Sequence, residues 1–249
     1  MSKFISKKSV AIWYALTALL ATFIVGQVIL WCCPDGKSTG DSLLFILMNC
    51  IPLIMAAIFS LVLSEVKSLG DFFKKIFLQK ESPLSWILAI FIPVIYYGIS
   101  ILLMNVRFTG NSLLAFFLYF PWTLLYGGLE EVGWRWFLQD HLSFSKHFIP
   151  KMMDLSIVWF LWHIPIYQLP WITAGSSNYL IFYLMILGNT FLLGALKEYS
   201  KGAVPCILAH MLIDSLAVLM LVQSSLTQII PLVIFEILVS SWLVAIRKS

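Results

Sequence analysis

The sequence predicts an all-α bundle of about eight membrane-spanning helices, one transmembrane domain over residues 1–249, with both termini cytoplasmic. Three observations carry this prediction. Of the 249 residues, 61% are hydrophobic and 11% are charged, whereas soluble domains carry roughly 25% charged residues. The apolar residues fall in runs of about twenty, the length a helix needs to cross the hydrocarbon core. The lysines and arginines between those runs lie almost all on one side, as cytoplasmic loops require.

The first run, 10–32, follows Lys3, Lys7 and Lys8. Basic residues before an apolar run also head secretory signals. This run is too long for one and no small-residue cleavage site follows, so it reads as a retained helix. The second run, 42–64, precedes Lys67, Lys74, Lys75 and Lys80. Within that loop Leu69, Phe72, Phe73, Ile76 and Phe77 share a face with lysines near its edge, which reads as a short cytoplasmic interfacial helix. Runs three and four are 84–105 and 112–138. Lys146 and Lys151 precede the fifth run, 153–170, where Pro165 and Pro170 should kink or end the helix. Lys197 and Lys201 separate the sixth run, 179–196, from the seventh, 202–222. The eighth, 226–246, precedes Arg247 and Lys248. Only Lys37 and Arg107 fall on the opposite side, an alternation that seven spans would break.

The remaining composition is consistent with this plan. Aromatics make up 15% of the chain, with ten tryptophans, as interfacial belts require. The net charge of +4 follows from topology. No basic patch on a polar surface is present, so nucleic acid is not a partner. Cys32, Cys33, Cys50 and Cys206 show no paired spacing and read as packing residues.

The informative residues are charges inside apolar runs. Glu130, Glu131 and Arg135 lie in Tyr126-Gly-Gly-Leu-Glu-Glu-Val-Gly-Trp-Arg-Trp-Phe-Leu138. Each charge near the bilayer centre is unfavourable by roughly 2.5–3.5 kcal/mol, so three within six residues need partners. Glu131 and Arg135, four apart, share a helix face and can pair. Glu130 projects about 100° away, towards a cavity, and is the candidate working carboxylate. His163 sits in Trp159-Phe-Leu-Trp-His-Ile-Pro165, where the proline frees backbone groups of the kind that line cavities. His210 and Asp214 share a face four apart, so the carboxylate can orient the imidazole or ligate a metal beside it. Taken singly, these features also fit an ion-pair network, a packed histidine and a buried hydrogen bond. Together they point to one polar site. His141 and His147 are expected in a solvated loop. Glu236, an acid in the last run with no local partner, stays outside the site.

Glu-Glu-x-x-x-Arg, then aromatic-x-x-x-His, then His-x-x-x-Asp on successive helices resembles the three-motif pattern of the CPBP family. These are the CAAX-protease and bacteriocin-processing intramembrane peptidases, also called the Abi family. The resemblance covers roughly 112–222, the expected catalytic core. It implies that Glu130 activates water with His163 as partner, that Glu131 and Arg135 support the site, and that His210 and Asp214 face the scissile carbonyl. Three positions depart from the pattern: Trp159 replaces a usual phenylalanine, Trp136 a frequent glycine and Asp214 the commoner asparagine. The resemblance leaves two chemistries open. Zinc could be held by Glu130, His163, His210 and Asp214, or a glutamate could act without a tightly bound metal; the sequence does not decide between them, and the reading leans slightly to no tightly bound metal. Expected partners are the lipid bilayer and a peptide or membrane-protein substrate entering from the cytoplasm. The short chain with minimal loops points to a bacterial plasma membrane and to bacteriocin maturation, self-immunity or membrane-protein processing. Rival readings are a non-catalytic immunity or scaffolding protein, and a transporter, for which no repeat symmetry is evident.

Overall fold

The structure, a computed structural model, describes residues 7–34, 39–142, 147–169, 172, 178–222 and 225–248. In chain order the helices are α1 (Lys7–Cys32), α2 (Thr39–Val62), α3 (Leu69–Phe77), α4 (Pro83–Leu102), α5 (Leu113–Thr123), α6 (Gln139–His141), α7 (Phe148–Tyr167), α8 (Tyr179–Tyr199), α9 (Val204–Leu216) and α10 (Leu226–Lys248). Two π-helical turns, Leu124–Gly128 and Val132–Leu138, join α5 to α6. Strands β1 (Val106–Phe108) and β2 (Met220–Val222) pair antiparallel, with Val106 opposite Val222.

A helical membrane bundle is therefore the architecture, and each expected run contains a helix. Among the described residues five helices are long and apolar enough to cross a membrane. Leu113–Gly128 with Val132–His141, bent by 45°, makes a sixth if the pair crosses as one span. The count of eight meets two helices of another kind. α7 is 20 residues long but carries Lys151, Asp154 and His163. α9 has 13 residues and spans about 20 Å at 1.5 Å per residue. The expected helix over 202–222 ends at Leu216 because the following turn is fastened elsewhere. Thr109 Oγ1 and Asn111 Nδ2 donate to the Val218 carbonyl at 2.6 and 2.9 Å, and Met220–Val222 joins the ribbon.

Two loop expectations change. The helix at 69–77 is present, with Ser68 Oγ accepting from the Asp71 amide at 3.1 Å. Its apolar face is shared: Leu69 and Phe73 are exposed, but Phe72 and Ile76 are buried in the protein, Phe72 edge-on to Trp136. His141 is not a solvated loop residue. It stacks on Phe137, and its ring nitrogens contact the Phe137 carbonyl and Glu65 Oε1, each at 2.8 Å.

α8 is the most enclosed of the long spans and packs against α7, α9 and α10. α9 lies against α4, α5 and the first π turn. On the other side, α2 backs both π turns at a point where only glycine fits. A Cβ at Gly133 would stand 2.7 Å from the Pro52 carbonyl carbon and overlap the Tyr14 hydroxyl. Gly133→Ala is therefore expected to destabilise the bundle by about 1–3 kcal/mol, read as a lowered Tm in detergent.

Candidate active site

The break in the fourth span creates the site. An ordinary α-helix would bond each amide to the carbonyl four residues back. Here the Leu129 amide donates to the Leu124 carbonyl five back, at 3.0 Å. Such π turns recur at functional sites. They lie either side of Glu130 and Glu131, and both carboxylates end up buried.

Glu131 is held from two sides. Its Oε2 accepts from Arg135 Nε at 2.8 Å, with both side chains fully buried. Its Oε1 lies 2.8 Å from His210 Nδ1 on α9. His210 Nε2 faces two further acids, 3.8 Å from Glu130 Oε1 and 3.5 Å from Asp214 Oδ2. Glu130 Oε2 accepts two indole N–H groups, from Trp134 and Trp159, each at 2.9 Å. The Arg135 guanidinium carbon lies 4.7 Å from the centroid of the Trp159 ring.

His163 lies one turn beyond Trp159, and its Nδ1 contacts the Trp159 carbonyl at 2.8 Å. A carbonyl only accepts, so Nδ1 carries the proton and Nε2 keeps its lone pair in the neutral ring. His163, His210 and Asp214 all line one cavity of about 240 Å³, together with Tyr96, Tyr97, Trp159, Tyr167 and Phe182. Tyr97 closes one wall, its hydroxyl donating to the Ile213 carbonyl at 2.9 Å.

The structure thus gathers Glu130, Glu131, Arg135, His210 and Asp214 into one contact network and sets His163 on the same cavity. It adds partners that the sequence reading did not contain. Glu131 rather than Asp214 grips His210 Nδ1, and Asp214 stands at the opposite nitrogen. His163 bonds a carbonyl of its own helix rather than Glu130. The indoles of Trp134 and Trp159 as partners of Glu130, and the need for a residue without a Cβ at Gly127, were also missed. A Cβ at Gly127 would overlap Asp214 Oδ2 and stand 3.2 Å from His210 Nε2. The sequence signal for the two indoles was a tryptophan within about a turn of Glu130 and of His163.

The donor set can be compared with what zinc requires. Zinc bonds N and O donors at about 2.0–2.2 Å, so its ligands must converge on one point. Among the described residues no group of three or more His, Cys, Asp or Glu side chains does so. One ring nitrogen of each histidine is engaged with a protein partner, which leaves the other available, as in metal-ligating histidines, and Glu130 Oε2 is taken by two indoles. The free atoms of Glu130, His163, His210 and Asp214 are zinc-type donors, but as the side chains stand they do not converge on one point.

Acid and imidazole groups gathered at a cavity inside a membrane bundle form the class of site an intramembrane hydrolase needs. Residues 111–216, which hold all three motifs, match the family model described as Rce1-like, type II CAAX prenyl endopeptidase Rce1-like. The match, over less than half of the chain, is consistent with the CPBP-type intramembrane peptidases that the motifs resemble. No curated protein matches the chain.

Glu131 and Arg135 make a sharp stability prediction. Glu131→Gln leaves a buried guanidinium without its counter-charge, a change that typically destabilises by roughly 3–5 kcal/mol. Thermal unfolding in detergent should show a large loss of Tm, with reduced yield of folded protein.

Proposed function

We propose that the chain is an intramembrane endopeptidase in which Glu130 activates water for attack on a peptide carbonyl. The observation that carries this reading is the approach of Glu130 Oε1 to His210 Nε2 beside a cavity that His163, His210 and Asp214 line, within the segment that matches the peptidase family. Water enters beside Glu130 Oε1, and His163 Nε2 accepts a hydrogen bond from it. Oε1 takes one proton as the water oxygen bonds the carbonyl carbon. The carbonyl π electrons move onto oxygen, and the oxyanion faces His210 Nε2–H. His210 stands between carboxylates on both sides, a setting that suits an imidazolium donating from both nitrogens. The oxyanion then re-forms the carbonyl, the C–N bond breaks, and Glu130 returns its proton to the leaving amine. The products are a carboxylic acid and an amine. Effective general-base chemistry of this kind contributes about 10²–10⁴-fold.

The substrate is a peptide or membrane-protein tail reached from the cytoplasmic face of a bacterial plasma membrane. Tyr96, Tyr97, Tyr167 and Phe182 suit apolar groups flanking the scissile bond. The matched family adds prenylated CAAX peptides as a substrate class. Bacteriocin maturation, self-immunity and membrane-protein processing are roles such an enzyme serves. One observation favours a second reading. The Arg135–Glu131–His210 network would fasten the helices with or without catalysis, as a non-catalytic immunity or scaffolding protein requires.

Glu130→Gln separates the two. It keeps the side chain's shape but not its basicity, and cleavage of a farnesylated, internally quenched CAAX-type peptide should fall by about 10²–10⁴-fold while expression stays normal. A scaffold would keep its cellular phenotype. Metal analysis of the purified protein should find less than one zinc per chain and no chelator sensitivity. Stoichiometric zinc that disappears in His163→Ala would replace the metal-free route.

Asp214→Asn should keep or raise kcat, because an amide can donate to an oxyanion that a carboxylate repels. A kcat loss beyond roughly tenfold would assign the charge itself a role in holding His210.

A further inference from the structure

Glu130 has two oxygens, and the protein treats them differently. Oε2 receives the indole N–H of Trp134 from its own helix and that of Trp159 from α7, both at 2.9 Å. A carboxylate oxygen offers about two lone-pair sites, so two N–H donors fill Oε2. Oε1 has His210 Nε2 at 3.8 Å, beyond a direct hydrogen bond. Each indole is itself fixed. Trp134 is fully buried, edge-on to Tyr14 and Trp162. The Arg135 guanidinium lies over Trp159, an attraction that strengthens away from water.

We propose that Trp134 and Trp159 are positioning residues that clamp Oε2 of Glu130 and so commit Oε1 to receiving the proton of the attacking water. This rests on the peptidase reading above. Without the clamp the carboxylate could rotate and present either oxygen, or turn its full face to His210, and the base would lose its fixed aim. Aim matters because a misplacement of about 1 Å can lower a rate by roughly 10²-fold. Both indoles act through Glu130 and need not touch the substrate.

The test has a spectroscopic arm and a kinetic arm. Protein with ¹⁵N-labelled tryptophan indoles in micelles should show two strongly downfield indole N–H resonances, assigned by their loss in Trp134→Phe and Trp159→Phe. Both should move upfield in Glu130→Leu, and in the same direction by less in Glu130→Gln, which serves should the leucine variant not fold. In cleavage of the farnesylated peptide, each Trp→Phe variant should lower kcat by roughly three- to tenfold with KM unchanged, and the double variant should lose more than the product of the two. Benzothienylalanine, which replaces the indole N–H by sulfur at equal size, should reproduce each phenylalanine effect. Full kcat in the variants, or an effect confined to KM, would overturn the inference and leave the indoles as packing. Unshifted resonances with an active wild type would overturn the clamp alone. Shifted resonances with an inactive wild type would uphold the clamp and overturn the peptidase reading.

Discussion

A guanidinium removed from water must meet a carboxylate, and the arrangement around the cavity follows from that need. Arg135 is fully buried and meets Glu131, equally buried, at 2.8 Å. The Glu131 carboxylate then has one oxygen left, and His210 occupies it from α9. The guanidinium face lies against Trp159 of α7. One i,i+4 pair on the bent span therefore ties three segments together. In hydrocarbon, where helices gain little from apolar contact with one another, such a polar tie can fix which helices neighbour which. Buried ion pairs are often no more stable than an apolar replacement. Here the pair also sets the orientation of the imidazole facing the cavity, which an apolar pair could not do.

What the sequence made legible follows from local periodicity. The pairing of Glu131 with Arg135, the shared face of His210 and Asp214, and the apolar runs all depend on residues within one or two turns, and all reappear in the structure. What it hid depends on departures from regular helix. The 45° bend and the π turns rotate side chains by amounts that a 100° wheel does not contain. The ribbon formed by 106–108 and 220–222 pairs residues far apart in the chain, which no local pattern announces. His141 was misjudged for the same reason: Glu65, its partner, lies 76 positions away. Glu130, expected to point away from Glu131 and towards a cavity, approaches the same His210 ring at its other nitrogen and does not itself line the cavity. That it would end against two indoles depends on α7 and on the bend together.

Glu236 shows why a buried acid alone does not define a site. It is buried on α10, and its carboxylate fits against Gly188 of α8, where any Cβ would overlap it. Among the described residues no cation or imidazole pairs with it as Arg135 and His210 pair with Glu131. The distinction is one of partners. A carboxylate set beside a second titratable group and an accessible space has somewhere to pass a proton. Glu236 instead lies against a glycine backbone, and its Oε1 has no hydrogen-bond partner among the described residues.

The glycine pair ahead of the two glutamates carries the last structural requirement. For His210 Nδ1 to reach Glu131 at 2.8 Å, α9 must come closer to the bent span than ordinary side chains permit. Gly127 and Gly128 remove the obstruction. A Cβ at 127 would overlap Asp214 Oδ2, and one at 128 would stand 2.9 Å from Met211 Cγ. Thr123, one turn earlier, sets the lateral register through contacts with the Met211 carbonyl and Ser215 Oγ at 3.3 and 3.2 Å. Those contacts place His210 and Asp214 opposite the π turns rather than a turn above or below. The glycines thus act on the ion pair through distance: they let α9 approach, the approach lets Glu131 bridge Arg135 and His210, and the bridge holds Nε2 towards the space beside Glu130.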